Sequence, residues 1–259
     1  MEMDFITTGM IIFVASMAGL AGFIDSIAGG GGLITLPAYL LTGMPAHNAY
    51  AVNKFAAVSG SITAMANYFH GKAIDVKASI IAAIGSAIGS AIAAQVVLIL
   101  SDKVLRLLVM IAIPLVAFIV ITHKAKSDEN RAPKEMTIKK ALLAFFIGFI
   151  IGTYDGFIGP GTGTFAIISF AAIMKYDLLT AGGNAKVVNV SSNIASLITF
   201  LFNGLVIFQI AIPCAITTII GAQIGSKMAL NRGAKFIKPM MIVVVALMMI
   251  KMVYDFIVG

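Results

Sequence analysis

Two aspartates, Asp25 and Asp155, stand near the ends of long apolar segments, each inside a cluster of helix-breaking residues. The first cluster reads Gly22-Phe-Ile-Asp25-Ser-Ile-Ala-Gly-Gly-Gly-Gly32 and the second Gly152-Thr-Tyr-Asp155-Gly-Phe-Ile-Gly-Pro-Gly-Thr162. A carboxylate in hydrocarbon is costly unless it is paired, hydrated or protonated. Backbone groups freed by glycine also need protein or water to satisfy them, so such positions mark a protein-lined cavity. Two chemistries are open to Asp25 and Asp155: capping or pairing with a fixed cation, and proton titration or gating.

A lysine begins the next segment of each copy, Lys54 within Val52-Asn53-Lys54 and Lys186 within Asn184-Ala185-Lys186. Close to a helix start, each could snorkel to the membrane interface through its four-carbon stem. Alternatively, each ammonium faces the glycine-rich tip of its own copy and binds an anion there. The glycines favour an anion, because they let backbone N–H groups approach a ligand, and half-helices starting at Leu33 and Gly163 aim their positive ends at the same point. On that reading Gly29, Gly30, Gly31, Gly32, Gly159, Gly161 and Thr162, with Asn53, Lys54, Lys186, Asn189 and Asn193, bind the substrate, while Asp25 and Asp155 couple or gate. Asn189, Asn193 and Ser196 share a helix face at spacings of four and three, as a polar pathway requires. Helix-to-helix glue is the other reading of this row and of Ser59, Ser61, Thr63 and Asn67.

The elements that hold these residues are membrane helices. Apolar residues make up 60% of the chain and charged ones 11%, too few to cover a water-facing surface. The predicted fold is all-α and polytopic, with about eight spans: Phe5–Ala28, Ala49–Phe69, Ala78–Leu100, Val104–Thr122, Ala141–Ile158, Ala185–Phe202, Leu205–Gly225 and Pro239–Val258. Leu33–Thr42 and Gly163–Met174 are too short to cross and are expected to be re-entrant or broken half-helices.

The organisation is duplicated. At an offset of 130 residues Gly22, Asp25, Gly29 and Gly31 fall on Gly152, Asp155, Gly159 and Gly161; after a small insertion Lys54 falls on Lys186 and Ser59 on Ser191. Gly85-Ser-Ala-Ile-Gly89 then matches Gly221-Ala-Gln-Ile-Gly225, glycine rows suited to close helix packing. Residues 1–122 are expected to form a first transmembrane repeat, 123–140 a charged cytoplasmic linker and 141–259 a second repeat. The linker carries Lys124, Lys126, Arg131, Lys134, Lys139 and Lys140, and the loop near Lys227 and Arg232 is also basic, which places both in the cytoplasm. An odd number of crossings per half inverts the second repeat and leaves both termini outside.

Other function classes fit poorly. The net charge of +7 sits in short loops, as membrane topology demands, and does not indicate nucleic acid. Gly221 to Lys227 departs from a phosphate-binding loop in spacing and context, and His47, His70 and His123 form no metal motif. The single Cys214 allows no internal disulfide. No nucleophile-base set is visible, so an enzyme is not expected, and neither is a cofactor.

The chain resembles the TauE/SafE sulfite exporter family, in its bacterial branch of membrane transporters. The resemblance is carried by Ala21 to Ala38, by Ala51-Val-Asn-Lys54, by Asp155 to Gly163, by Ala185 to Asn189 with Ser192-Asn193, and by Gly221 to Ser226. It implies a cytoplasmic-membrane carrier of two repeats that moves small sulfur-containing anions such as sulfite, thiosulfate or organosulfonates, with proton coupling as an open question. The implied partners are a small anionic substrate and the lipid bilayer, with a homodimer as one open assembly. A passive anion channel of the same fold is the alternative, followed by an intramembrane enzyme or assembly factor. Family members commonly have Thr where this chain has Val52, and Pro160 and Thr162 replace Gly30 and Gly32 of the first copy, so the two half-sites differ chemically.

Overall fold

The computed structural model describes residues 7–108, 136–233, 235–237 and 239, and every regular element among them is helical. In chain order these are α1 (Thr8–Ala28), α2 (Gly32–Leu41), α3 (Ala46–His70), α4 (Val76–Ile99), α5 (Ile138–Phe157), α6 (Thr162–Ala172), α7 (Leu178–Phe202) and α8 (Phe208–Arg232), with a further helical stretch at 102–108. The short apolar segments are helices α2 and α6, as expected. The spans expected at Pro239–Val258 and beyond residue 108, with most of the linker, lie outside the described residues.

Helix starts follow the caps. The Asp75 carboxylate accepts the amides of Lys77 and Ala78 at 3.1 Å each, and Asp177 accepts those of Leu179 and Thr180 at 3.0 Å each. The second cap corrects the expected start at Ala185: α7 begins at Leu178, because Asp177 satisfies the free N–H groups of its first turn. α3 likewise begins at Ala46. Each lysine therefore lies about two turns inside its helix, not at its start.

Beside a buried apolar core, the helices bury small polar groups and expose large apolar ones. Along α4, Ile80, Ile84, Ile88 and Ile92 are exposed while Ser79, Ser86 and Ser90 are buried. That inversion suits a lipid exterior. α1, α4, α5, α7 and α8 are long and apolar enough to cross a membrane. α3 has the length but carries Asn53, Lys54, Ser59, Ser61 and Asn67, most of which it turns toward protein.

The helices pack as two groups that cut across the sequence halves. α1, α3 and α8 form one, with α2 on α1 and α3; α4, α5 and α7 form the other, with α6 on α7 and α5. Glycine makes the close contacts possible: Gly221 and Gly225 rest on the α1 backbone at Gly19 and Phe23, and Gly85 and Gly89 rest on the α5 backbone at Phe145 and Phe149. Side chains reinforce each group. Asn67 donates to Gln223 Oε1 and Ser226 Oγ at 2.8 Å, joining α3 to α8, while Ser86 and Ser90 donate to the Val188 and Ser192 carbonyls of α7 at 3.1 and 2.7 Å. The groups meet where α3 crosses α7 and where the two glycine-rich tips touch.

At one end of the first group, Asp102 accepts the Ala46 amide and the Arg106 guanidinium, the latter at 2.8 Å, and Arg106 also donates to Met44 O at 2.9 Å. Burial alone would raise the Asp102 carboxyl, but the Arg106 and Ala46 bonds outweigh it and hold Asp102 below its ordinary value. A depressed carboxylate stabilises the fold above its unfolded pKa, and that contribution is lost as pH falls through the folded value. Asp102→Asn should therefore lower stability by under about 1 kcal/mol at neutral pH, since the pair is partly exposed, and the gap from wild type should close on acidification in thermal melts.

Candidate functional site

The site is built where each long helix breaks. α1 ends at Ala28, and Gly29 turns the chain with φ 77°, its N–H donating to Asp25 O at 2.9 Å. α5 ends at Phe157, and Gly161, at φ 80°, precedes α6. Both positions need the left-handed region that glycine reaches without strain. Gly29 also lies directly on the other tip, where an added Cβ would come within 2.6 Å of Gly163 Cα. Thr164 Oγ1 fixes that contact by donating to Ala28 O at 2.9 Å.

The four ionisable residues pair crosswise. Lys54 Nζ on α3 donates to Asp155 Oδ2 at 2.7 Å and to Asp155 O at 2.8 Å. Lys186 Nζ on α7 donates to Asp25 Oδ2 at 2.8 Å and also to Asp25 O. Each ammonium thus neutralises a carboxylate and satisfies a main-chain carbonyl in the last turn of a helix, where the dipole favours a cation. The other carboxylate oxygens bind their own tips: Asp25 Oδ1 accepts Gly31 N–H at 3.2 Å, and Asp155 Oδ1 accepts the Thr162 hydroxyl at 2.9 Å. Both pairs join the two helix groups. Lys54 and Lys186 are 1% and 0% exposed, which excludes snorkelling in this conformation, and neither turns to the tip of its own copy.

A cavity of about 50 Å³ lies between the groups. It is large enough for a few waters or one small oxyanion. Asp25, Gly30, Gly31, Gly32, Asn53, Asp155, Gly159, Thr162, Asn189 and Asn193 line it, all of them expected site residues. Gly29 and Gly161, also expected there, turn the chain at the tips and are not part of the wall. Lys54 and Lys186 sit beyond the carboxylates and do not line the cavity. Among the described residues no hydrogen-bond partner meets the buried Oδ1 atom of Asn189, whose residue lines the cavity wall.

The expected polar face of α7 divides. Asn189 and Asn193 face the cavity, whereas Ser196 meets Ser90 of α4 at 2.6 Å and serves as helix glue. Thr35, Ser61 and Thr218 also line the cavity and were not among the expected site residues. Thr35 has a readable signal, the one small hydroxyl side chain in an apolar half-helix; its Oγ1 donates to Asn53 Oδ1 at 2.5 Å and lies 3.2 Å from Gly31 O. Thr218 had none, because only the packing of α8 on α1 brings it there.

A model of the family described as "Sulfite exporter TauE/SafE" matches residues 14–252. The chain is 35% identical over 247 residues to "Probable membrane transporter protein YfcA" of Escherichia coli, a match spanning 95% of this chain and 90% of the relative. It is 34% identical over 240 residues to a "Probable membrane transporter protein" of Haemophilus influenzae, 91% of each chain. "Probable membrane transporter protein ORF9" of Sinorhizobium sp is 31% identical over 246 residues, 95% of this chain and 93% of the relative. No solved structure matches significantly.

Proposed function

The chain belongs to the TauE/SafE sulfite exporter family, whose members are named as membrane transporters and not as enzymes, and from that premise we propose a secondary transporter of small sulfur-containing anions. The observation that carries this reading is the pair of lysine–carboxylate bridges that join two helix groups around one small polar cavity. In this conformation the carboxylates occupy the ammoniums. An arriving oxyanion competes for Lys54 or Lys186, and Asn53, Asn189, Asn193 and Thr162 supply neutral contacts that orient it. Loss of a bridge loosens one group against the other, which exposes the cavity to one side and then the other.

The moving bodies on this reading are not the sequence repeats. Backbone-close glycine contacts lock α1 to α8 and α4 to α5, so rocking of residues 1–122 against 141–259 would tear both seams. Movement between the α1–α3–α8 and α4–α5–α7 groups breaks neither. The duplicated landmarks support two inverted repeats of this membrane domain, with about eight spans, the 123–140 linker in the cytoplasm and the termini outside.

The test is sulfite and thiosulfate flux into proteoliposomes. Lys54→Ala and Lys186→Ala should each slow saturable uptake about 10- to 100-fold, the equivalent of one charge-assisted hydrogen bond. Asp25→Asn should change its pH dependence. Wild-type flux in both lysine variants would remove the anion site, and flux that never saturates would identify a channel.

A further inference from the structure

We propose that the two carboxylates divide the work: Asp25 takes up and releases the transported proton and thereby opens Lys186 to the anion, while Asp155 stays closed on Lys54. The proposal rests on the transporter reading and assigns its coupling residue. Although the pairs look alike in sequence, their surroundings differ. The Asp25 side chain is 26% exposed, whereas that of Asp155 is 6% exposed, and both belong to the wall of the same cavity. Water in the cavity therefore reaches the first far more readily.

The remaining contacts have the same bias. Asp155 Oδ1 faces the Thr162 hydroxyl, which lies 2.9 Å from it and 2.6 Å from Gly159 O. At the matching position the first copy has Gly32, so Asp25 Oδ1 is left with one long amide contact at 3.2 Å. The acids and bases facing Asp25 are Lys186 from α7, Tyr68 from α3, whose hydroxyl donates to Ser26 O at 3.0 Å, and Asp155 across the cavity. α6 contributes hydroxyls but no ionisable group, and the cavity-facing residue of α8 is Thr218.

A proton delivered through the cavity converts the Asp25 carboxylate to a carboxylic acid. Lys186 then keeps the Asp25 carbonyl but has lost its counter-charge. A buried ammonium without a counter-ion is strongly unfavourable, so it recruits an anion. The incoming oxyanion meets two donors, the new carboxyl O–H and the ammonium. Departure of the anion restores the ion pair and returns the proton to water, which couples one proton to one anionic charge.

Two measurements on the full-length protein in liposomes decide the matter. Infrared difference spectra on acidification should show the stretching band of a protonated buried carboxyl in wild type; the band should vanish in D25N and persist in D155N or, if that variant does not fold, in D155E. Persistence in D25N, or loss in folded D155N or D155E, overturns the assignment. Methanesulfonate carries no titratable proton near neutrality, so a dye in the lumen reports coupled protons alone. Wild type should move protons with methanesulfonate, and D25N should lower the protons moved per anion at least tenfold. Methanesulfonate entry without protons in wild type overturns the coupling. Absence of all anion flux in wild type instead sinks the transporter reading, and the infrared result still decides where the proton binds.

Discussion

Lys54→Met destabilises the folded protein by about 3–5 kcal/mol, because it leaves the Asp155 carboxylate buried with, among the described residues, only the Thr162 hydroxyl bonded to it. The loss exceeds what the methylene stem contributes, since methionine replaces most of that packing. Removing both charges tests the cause. A Lys54→Met/Asp155→Leu double variant should regain most of the stability, as replacement of a buried ion pair by apolar groups of similar volume is often neutral. Denaturant unfolding of the four proteins of this cycle gives the coupling directly. A double variant as unstable as the sum of the singles would mean that the two side chains do not depend on each other. Transport by the double variant should nonetheless fall, because leucine replaces a carboxylate in the cavity wall.

Gly152→Leu prevents assembly of the α4–α5 seam. An added Cβ alone would stand 2.5 Å from Ser86 Cα, and backbone cannot yield as a flexible side chain can. Even Gly152→Ala should lose about 1–3 kcal/mol by overpacking, and leucine should yield aggregated protein with no sharp elution peak. Gly9 is the control. It sits in α1 with open space around its missing Cβ, so Gly9→Ala should hold or raise the melting temperature through helix propensity. A monodisperse Gly152→Leu protein would contradict the close contact on which the two-group packing rests.

The sequence is a good guide to segments and a poor one to partners. Hydrophobic length located α1, α3, α4 and α5 to within a few residues but ended α8 at Gly225, short of Arg232, and the glycine clusters located both breaks. It placed the start of α7 too late because Asp177 and Leu178 to Asn184 look like loop until the cap is recognised. Asp25, Asp155, Lys54 and Lys186 stood out by charge in an apolar chain. Which carboxylate each lysine meets was invisible, since both arrangements satisfy the same spacing, and only the packing of α3 against α7 decides it. Thr218 shows the same limit, a hydroxyl whose role depends on α1, where it donates to Ala18 O, 200 positions earlier, at 3.2 Å.

The crosswise bridges bear on how the protein is made. Asp155 follows Lys54 by 101 positions and Lys186 follows Asp25 by 161, so both early charges leave the ribosome long before their counter-ions exist. At ordinary translation speeds that interval is roughly 5–30 seconds. During it, the nascent first half must keep an acid and a base near water, lipid headgroups or the insertion machinery. Its helices can settle at full depth only when the second half arrives, which makes insertion and folding of this chain a single late event.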